Sequence, residues 1–163
     1  NRRREECDRA AAFFGVPTLR DVTAEQVTLC PPGLDDVAFR RARHIVTENA
    51  RVLRTCTALE LGDIATVGEL MAGSHRSMRD DFQITHPKVD ELVDILSDTL
   101  GTRGGARMTG GGFGGCVVAL VPADLLDAAK AAIAERYRDP QNEPATVYVC
   151  EASAGVSLLP ESS

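Results

Sequence analysis

The run Arg107-Met108-Thr109-Gly110-Gly111-Gly112-Phe113-Gly114-Gly115-Cys116 places five glycines around a single phenylalanine. Glycine permits positive φ and lets backbone approach a ligand closely. Successive N–H groups in such a loop can form an anion-binding nest. The loop lacks the Lys-Ser/Thr ending of a Walker A phosphate loop, and a strand pattern rather than a helix follows it. Gly110, Gly112 and Gly115 keep the G-x-G-x-x-G spacing, but a dinucleotide fingerprint needs a helix after it, so that chemistry is rejected. Two roles remain open for Gly110 to Gly115: a phosphate-side loop, or a glycine-rich hairpin with a bulge.

A second stretch, Ser74-His75-Arg76-Ser77-Met78-Arg79-Asp80-Asp81-Phe82, combines hydroxyl, imidazole, guanidinium and carboxylate groups. Helical spacing puts His75 four residues after Met71 and three before Met78, on an apolar side, with Arg79 one turn on. It reads either as a core histidine with an Arg–Asp pair at the helix end, or as an interface or substrate-side cluster of Ser74, His75, Arg79 and Asp80. Arg2-Arg3-Arg4-Glu5-Glu6 and Arg40-Arg41-Ala42-Arg43-His44 both read as solvated helix faces with local ion pairs. His44 and His86 have no partners at metal-ligand spacing. No G-x-S-x-G elbow, His-rich zinc motif or catalytic carboxylate dyad stands out, so no catalytic residue is assigned.

The elements that must position these groups follow from periodicity. Arg2 to Phe14 predicts a helix stopped by Gly15 and Pro17. Thr18 to Gly33 predicts loop. Ala38, Ala42, Ile45, Leu53, Cys56 and Leu59 predict one buried face of a helix over Asp35 to Leu61. Ile64, Val67, Met71, Met78 and Phe82 give a third helix over Asp63 to Asp81, joined through Gly62 and so antiparallel to the second. Pro87 opens a fourth helix. Gly104 to Thr109 predicts a short strand. Cys116 to Val121 predicts a strand buried on both faces. Asp124 is expected to cap a helix running to Tyr137, and Thr146 to Cys150 and Val156 to Leu159 are two further strand candidates. Four helices followed by β-β-α-β-β predict one α+β domain over residues 1–163, a mostly antiparallel sheet covered by helices.

The chain has 163 residues, 44% of them hydrophobic, with net charge −6. That is an ordinary globular composition. The acidic balance argues against nucleic acid and anionic membrane as partners. The five cysteines are odd in number and form no C-x-x-C pair, which predicts reduced thiols in a cytoplasmic protein. No stretch has the length of a membrane-spanning helix. The charged helical pattern is already under way at Asn1 without an initiator Met, so the chain is expected to be the C-terminal portion of a longer protein.

Together these stretches resemble galactokinase, a member of the GHMP kinase superfamily. Met108 to Cys116 is similar to the third motif of that superfamily in its galactokinase form, which commonly has Ala where this chain has Gly111. The segments Arg40 to His44 and Ser74 to Phe82 match galactokinase in the same order, as do Arg3 to Cys7 and Ser153-Ala154-Gly155. The resemblance covers essentially the whole chain. It implies a ferredoxin-like antiparallel sheet packed with helices. It also implies ATP-dependent phosphorylation of galactose at the anomeric hydroxyl, with ATP and Mg²⁺ bound mainly by an N-terminal domain that carries the catalytic residues and is absent from this chain. That domain is then the main protein partner, with galactose and ATP as substrates. A sugar-contacting tyrosine of the family would fall just before Asn1. The third motif, Gly110 to Gly115 with Phe113, would line the cleft beside the phosphate-binding loop. The family also includes non-catalytic sensors that bind sugar and ATP, a second function the resemblance allows.

Overall fold

A computed structural model describes residues 2–153 and 155. The first helix, α1 (Arg2–Phe14), ends where Gly15 takes φ 67°, as its sequence predicts. Two single 3-10 turns, Leu19–Asp21 and Glu25–Val27, fold the next loop back over α1 and bury Leu19, Val22 and Val27. The second helix, α2 (Asp36–Glu60), is capped by Asp35, whose carboxylate accepts from the Ala38 N–H at 2.9 Å. Gly62 at φ 69° turns the chain into α3 (Ile64–Ser77), capped by Asp63 through the Thr66 N–H. The pairs His44–Ser77 and Glu48–Ser74 run in reverse order along the two helices, so α2 and α3 pack antiparallel.

Two expectations for these helices change. The predicted face of α2 is buried only in its first half. Ala38 and Ala42 are buried under α1, whereas Leu53, Cys56 and Leu59 are exposed because α1 ends before reaching them. The third helix does not continue as α to Asp81. It widens into a π-helical turn, Met78–Phe82, whose carbonyl at Met78 accepts from both the Gln83 and Ile84 N–H groups. Gln83 then takes φ 55°, an uncommon left-handed conformation for a residue with a side chain.

Helix α4 (Pro87–Leu100) starts at Pro87, with His86 as the cap whose Nδ1 accepts from the Lys88 N–H. After Gly101 come β1 (Gly105–Thr109) and β2 (Cys116–Leu120), paired antiparallel from Gly105–Leu120 to Thr109–Cys116. The doubly buried strand is β1, not β2. Ala106 and Met108 are fully buried between α3 and α4, while Cys116 and Val118 of β2 are exposed. Asp124 does not cap the last helix. It forms a surface pair with Arg103 at 2.8 Å, and a 3-10 turn, Ala123–Leu125, leads into α5 (Leu126–Arg136). Among the described residues the sheet has two strands. Thr146 to Cys150 forms no strand, and its apolar side chains at Val147, Tyr148 and Val149 are exposed. The candidate strand Val156 to Leu159 lies outside the described residues.

Helix α5 covers α4 and β1 through Ala129 and Ile133, with Leu96, Leu100 and Tyr137 in the same core. A separate core under α1 and α2 holds Ala10, Phe39 and Val46. A third, small cluster of Met78, Val89 and Met108 lies under the entry to the glycine loop. The architecture is α+β, with helices packed on an antiparallel hairpin.

Candidate functional site

The glycine loop, residues 110–115, joins β1 to β2. Gly110, Gly112 and Gly114 take φ of 95°, 87° and 113°, so three of its five glycines stand where a side chain is strained. Phe113 shares the conformation at φ 61° and turns its ring outward, 69% exposed. One contact fixes the loop. The Phe113 N–H donates to the Ile84 carbonyl at 2.7 Å. Gly112 packs directly against the same residue: a Cβ there would come 2.8 Å from both Ile84 Cβ and Ile84 O. The N–H groups of Gly111, Gly112 and Gly114 donate to no backbone carbonyl among the described residues. That leaves a concentration of N–H donors able to meet an anion.

His75 supports the strand that enters the loop. It is buried, and its Nδ1 accepts from the Met108 N–H at 3.2 Å. The ring proton is therefore on Nε2, which lies 3.2 Å from Asp90 Oδ1 at an angle too poor for a hydrogen bond. Burial lowers the His75 pKa from its ordinary value, against the opposing charge of Asp90. Ser74 donates to Glu48, and the same Glu48 oxygen accepts from Arg107 Nη1 at 3.2 Å. Ser74 and His75 thus both tie α3 to β1, one through a carboxylate and one directly. Arg79 and Asp80 do not join them. They pair with each other at 2.8 Å on the outer side of the π turn. Within this chain His75 is a core histidine and Arg79 pairs with Asp80 at the helix end, the arrangement the first of the two sequence readings describes.

The two basic stretches are not merely solvated faces. The expected local pairs exist, Arg2–Glu6 and Arg3–Glu6 at 2.9 and 3.0 Å. But Glu6 and Arg41 are 2% and 1% exposed and meet at 2.6 Å. Burial alone would raise the Glu6 pKa; hydrogen bonds from Arg41 and Arg2 and the charges of Arg41 and Arg3 outweigh it and hold the carboxyl at about 2. Arg41 also donates to the Asp81 carbonyl and to Gln83 Oε1, and Arg3 donates to the carbonyls of Phe82 and Gln83 at 2.7 and 2.8 Å. His44 is buried against Phe82, ring centroids 4.5 Å apart. Ser77 Oγ donates to Asp81 Oδ2, so it accepts from His44, whose proton is on Nδ1. Sequence spacing held a signal for this network. Arg41 lies between Ala38 and Ile45 on the apolar stripe, and Glu6 lies one turn before Ala10. Ile84, the loop's anchor, carried no such signal, because its contact depends on the π turn.

Among the described residues no group of three or more His, Cys, Asp or Glu side chains is placed to hold a metal ion. No helix among the described residues is long and apolar enough to cross a membrane.

Comparison with known proteins bears on this arrangement. A family model described as GHMP kinases C terminal matches residues 56–139, which run from the second half of α2 through the glycine loop and α5. The crystal structure of Lactococcus lactis galactokinase complexed with galactose superposes with a TM-score of 0.77 at 34% identity over 90% of this chain. The chain spans 38% of the length of that galactokinase. With the glycine loop and its supporting histidine inside residues 56–139, the chain belongs to the GHMP kinase family, as its C-terminal domain.

Proposed function

We propose that this chain is the C-terminal domain of a galactokinase, which transfers the terminal phosphoryl group of ATP to the anomeric hydroxyl of galactose. The carrying observation is the 34% identity, over 90% of this chain, to a galactokinase whose structure contains galactose. The glycine loop adds to it. Unpaired N–H groups at Gly111, Gly112 and Gly114 fit phosphate oxygens at the edge of a cleft. Phosphoryl transfer depends on positioning and charge stabilisation, so a wall of N–H donors is a useful contribution without any catalytic side chain. In this proposal the groups that carry out transfer, and the ligands of Mg²⁺ when it accompanies ATP, belong to a domain matching the remaining length of the relative. The protein works in the cytoplasm, and its N-terminal domain is the surface this one meets.

The test is a pair of assays on the full-length protein: ³¹P NMR for galactose 1-phosphate, and coupled release of ADP. Galactose-dependent formation of both is expected. The 163-residue chain alone is expected to give neither, and turnover by it would overturn the division of labour. Binding of galactose and ATP by the full protein without turnover would replace the enzyme with a sugar sensor.

A further inference from the structure

The glycine loop lies at one end of the β-hairpin. At the other end, where Gly104 and Gly105 lead into β1, is a cavity of about 450 Å³. Four residue steps of β1 separate the two ends, about 13 Å at the usual strand rise. The floor of the cavity is backbone. A Cβ on Gly68 of α3 would come 2.1 Å from the Gly104 carbonyl oxygen, so helix and strand touch without side chains between them. Arg51 and Arg54, one turn apart on α2, and Arg76 on α3 line the walls, against a single carboxylate, Glu69. Ser97 and Thr102 add hydroxyl groups from the end of α4 and the turn after it.

Two of these arginines border Gly73. The point where Gly73 would carry a Cβ lies 3.7 Å from Arg51 Cδ and 3.9 Å from Arg76 Nη2. Like charges lining one cavity repel one another. Arg51 is answered in part: its Nε donates to Glu48 at 2.7 Å and its Nη2 to Thr47 at 2.9 Å, leaving Nη1 without a partner among the described residues. Arg54 and Arg76 form no ion pair among the described residues, although this chain pairs most of its other arginines with carboxylates. A roomy pocket with surplus positive charge and an absent side chain at Gly73 is suited to an anion.

We propose that this cavity is a second anion site, distinct from the glycine loop, and that it takes a phosphate group, either free or as a sugar monophosphate. A planar carboxylate is matched by one guanidinium fork. Guanidinium groups arriving from two helices, with hydroxyl-bearing residues in the same lining, instead suit a tetrahedral dianion. The assignment rests on the arginines and the cavity and does not require the galactokinase proposal.

The test is an ¹H–¹⁵N NMR titration of the chain with inorganic phosphate and, separately, with galactose 1-phosphate, at ionic strength fixed with KCl. Saturable shifts are expected at the amides of Gly73, Thr102 and Gly104. The double variant Arg54→Ala/Arg76→Ala should raise Kd by about tenfold or more. Both side chains are exposed, so the variant should keep the dispersion of the parent spectrum. Equal affinity for the two probes assigns the site to the phosphate group itself, and tighter binding of the ester assigns it to a sugar phosphate. Absence of saturable shifts up to about 10 mM of either probe would overturn the proposal. So would shifts at these amides that survive in the double variant.

Discussion

Replacing Gly112 with alanine separates the loop's own geometry from what it binds. The residue sits at φ 87°, where a Cβ costs about 1–2 kcal/mol. That Cβ would also stand 2.8 Å from two atoms of Ile84, closer than any relaxed contact, so loop and π-turn exit must move apart. Moving them stretches the Phe113–Ile84 hydrogen bond, now 2.7 Å, which contributes about 0.5–1.5 kcal/mol. Together these give about 2–3 kcal/mol, or a fall in Tm on the order of 8 °C for a chain of this size. The matched control is Gly111→Ala. Gly111 has no positive φ, and a methyl group added there would have nothing within 4 Å, so its melt should stay within about 0.5 kcal/mol of the parent. Thermal denaturation of the three proteins is the assay. A Gly112→Ala melt that matches the parent would refute the account of the loop as anchored on Ile84. Equal losses at both positions would refute the distinction between an anchored and an open glycine. It follows that loss of activity at Gly112 is no clean measure of phosphate approach, whereas a larger side chain at Gly111 is.

Glu6→Gln removes the partner of Arg41 and leaves its buried guanidinium uncompensated, so a loss of about 3 kcal/mol is expected by urea unfolding at pH 7; a loss under about 1 kcal/mol would place the pair in effective contact with solvent. Because the Glu6 pKa is depressed to about 2, its contribution is complete above the unfolded value of 4.5 and disappears as pH falls from there towards 2, so the acid limb of a stability–pH curve should flatten in Glu6→Gln. His75 binds its proton less tightly when folded than when unfolded, so stability should also decline as pH falls below 6.5, and His75→Ala should reduce that slope while destabilising at every pH by leaving the Met108 N–H unpaired. A steeper slope in the variant would contradict the assigned tautomer and environment.

Helices were the legible part of this chain because their signals are local. Asp35 and Asp63 cap, Gly15 and Gly62 stop, and Pro87 starts, each within one turn of its effect. The sheet was less legible because a strand is defined by its neighbour. Cys116 to Leu120 has the apolar run of a doubly covered strand, but β1 has taken the place between α3 and α4 and leaves β2 with one open face. Thr146 to Cys150 has β-rich composition and no partner strand among the described residues, so composition alone could not make it a strand. Asp124 had the residue type of a cap, yet Arg103 holds its carboxylate from outside the helix.

The site shows the same limit in sharper form. The glycine loop was found from its composition, but what holds it was not. Arg3 and Arg41 hold the carbonyl groups of Asp81, Phe82 and Gln83, which have no helical partners because the helix ends there. The next residue, Ile84, receives the Phe113 N–H and the close face of Gly112. Glu6 pairs with both arginines from α1. A continuous set of contacts therefore runs from the N-terminal basic stretch to the glycine loop, across about 110 residues of sequence from Arg3 to Phe113. Apart from the local Arg3–Glu6 pair, its hydrogen bonds join residues that are far apart in the chain, and they meet at a widened turn that no periodicity announces. This explains why charges that resemble a solvated surface are buried here: they satisfy the carbonyls left open where the helix ends, and in doing so they fix where the glycine loop can stand.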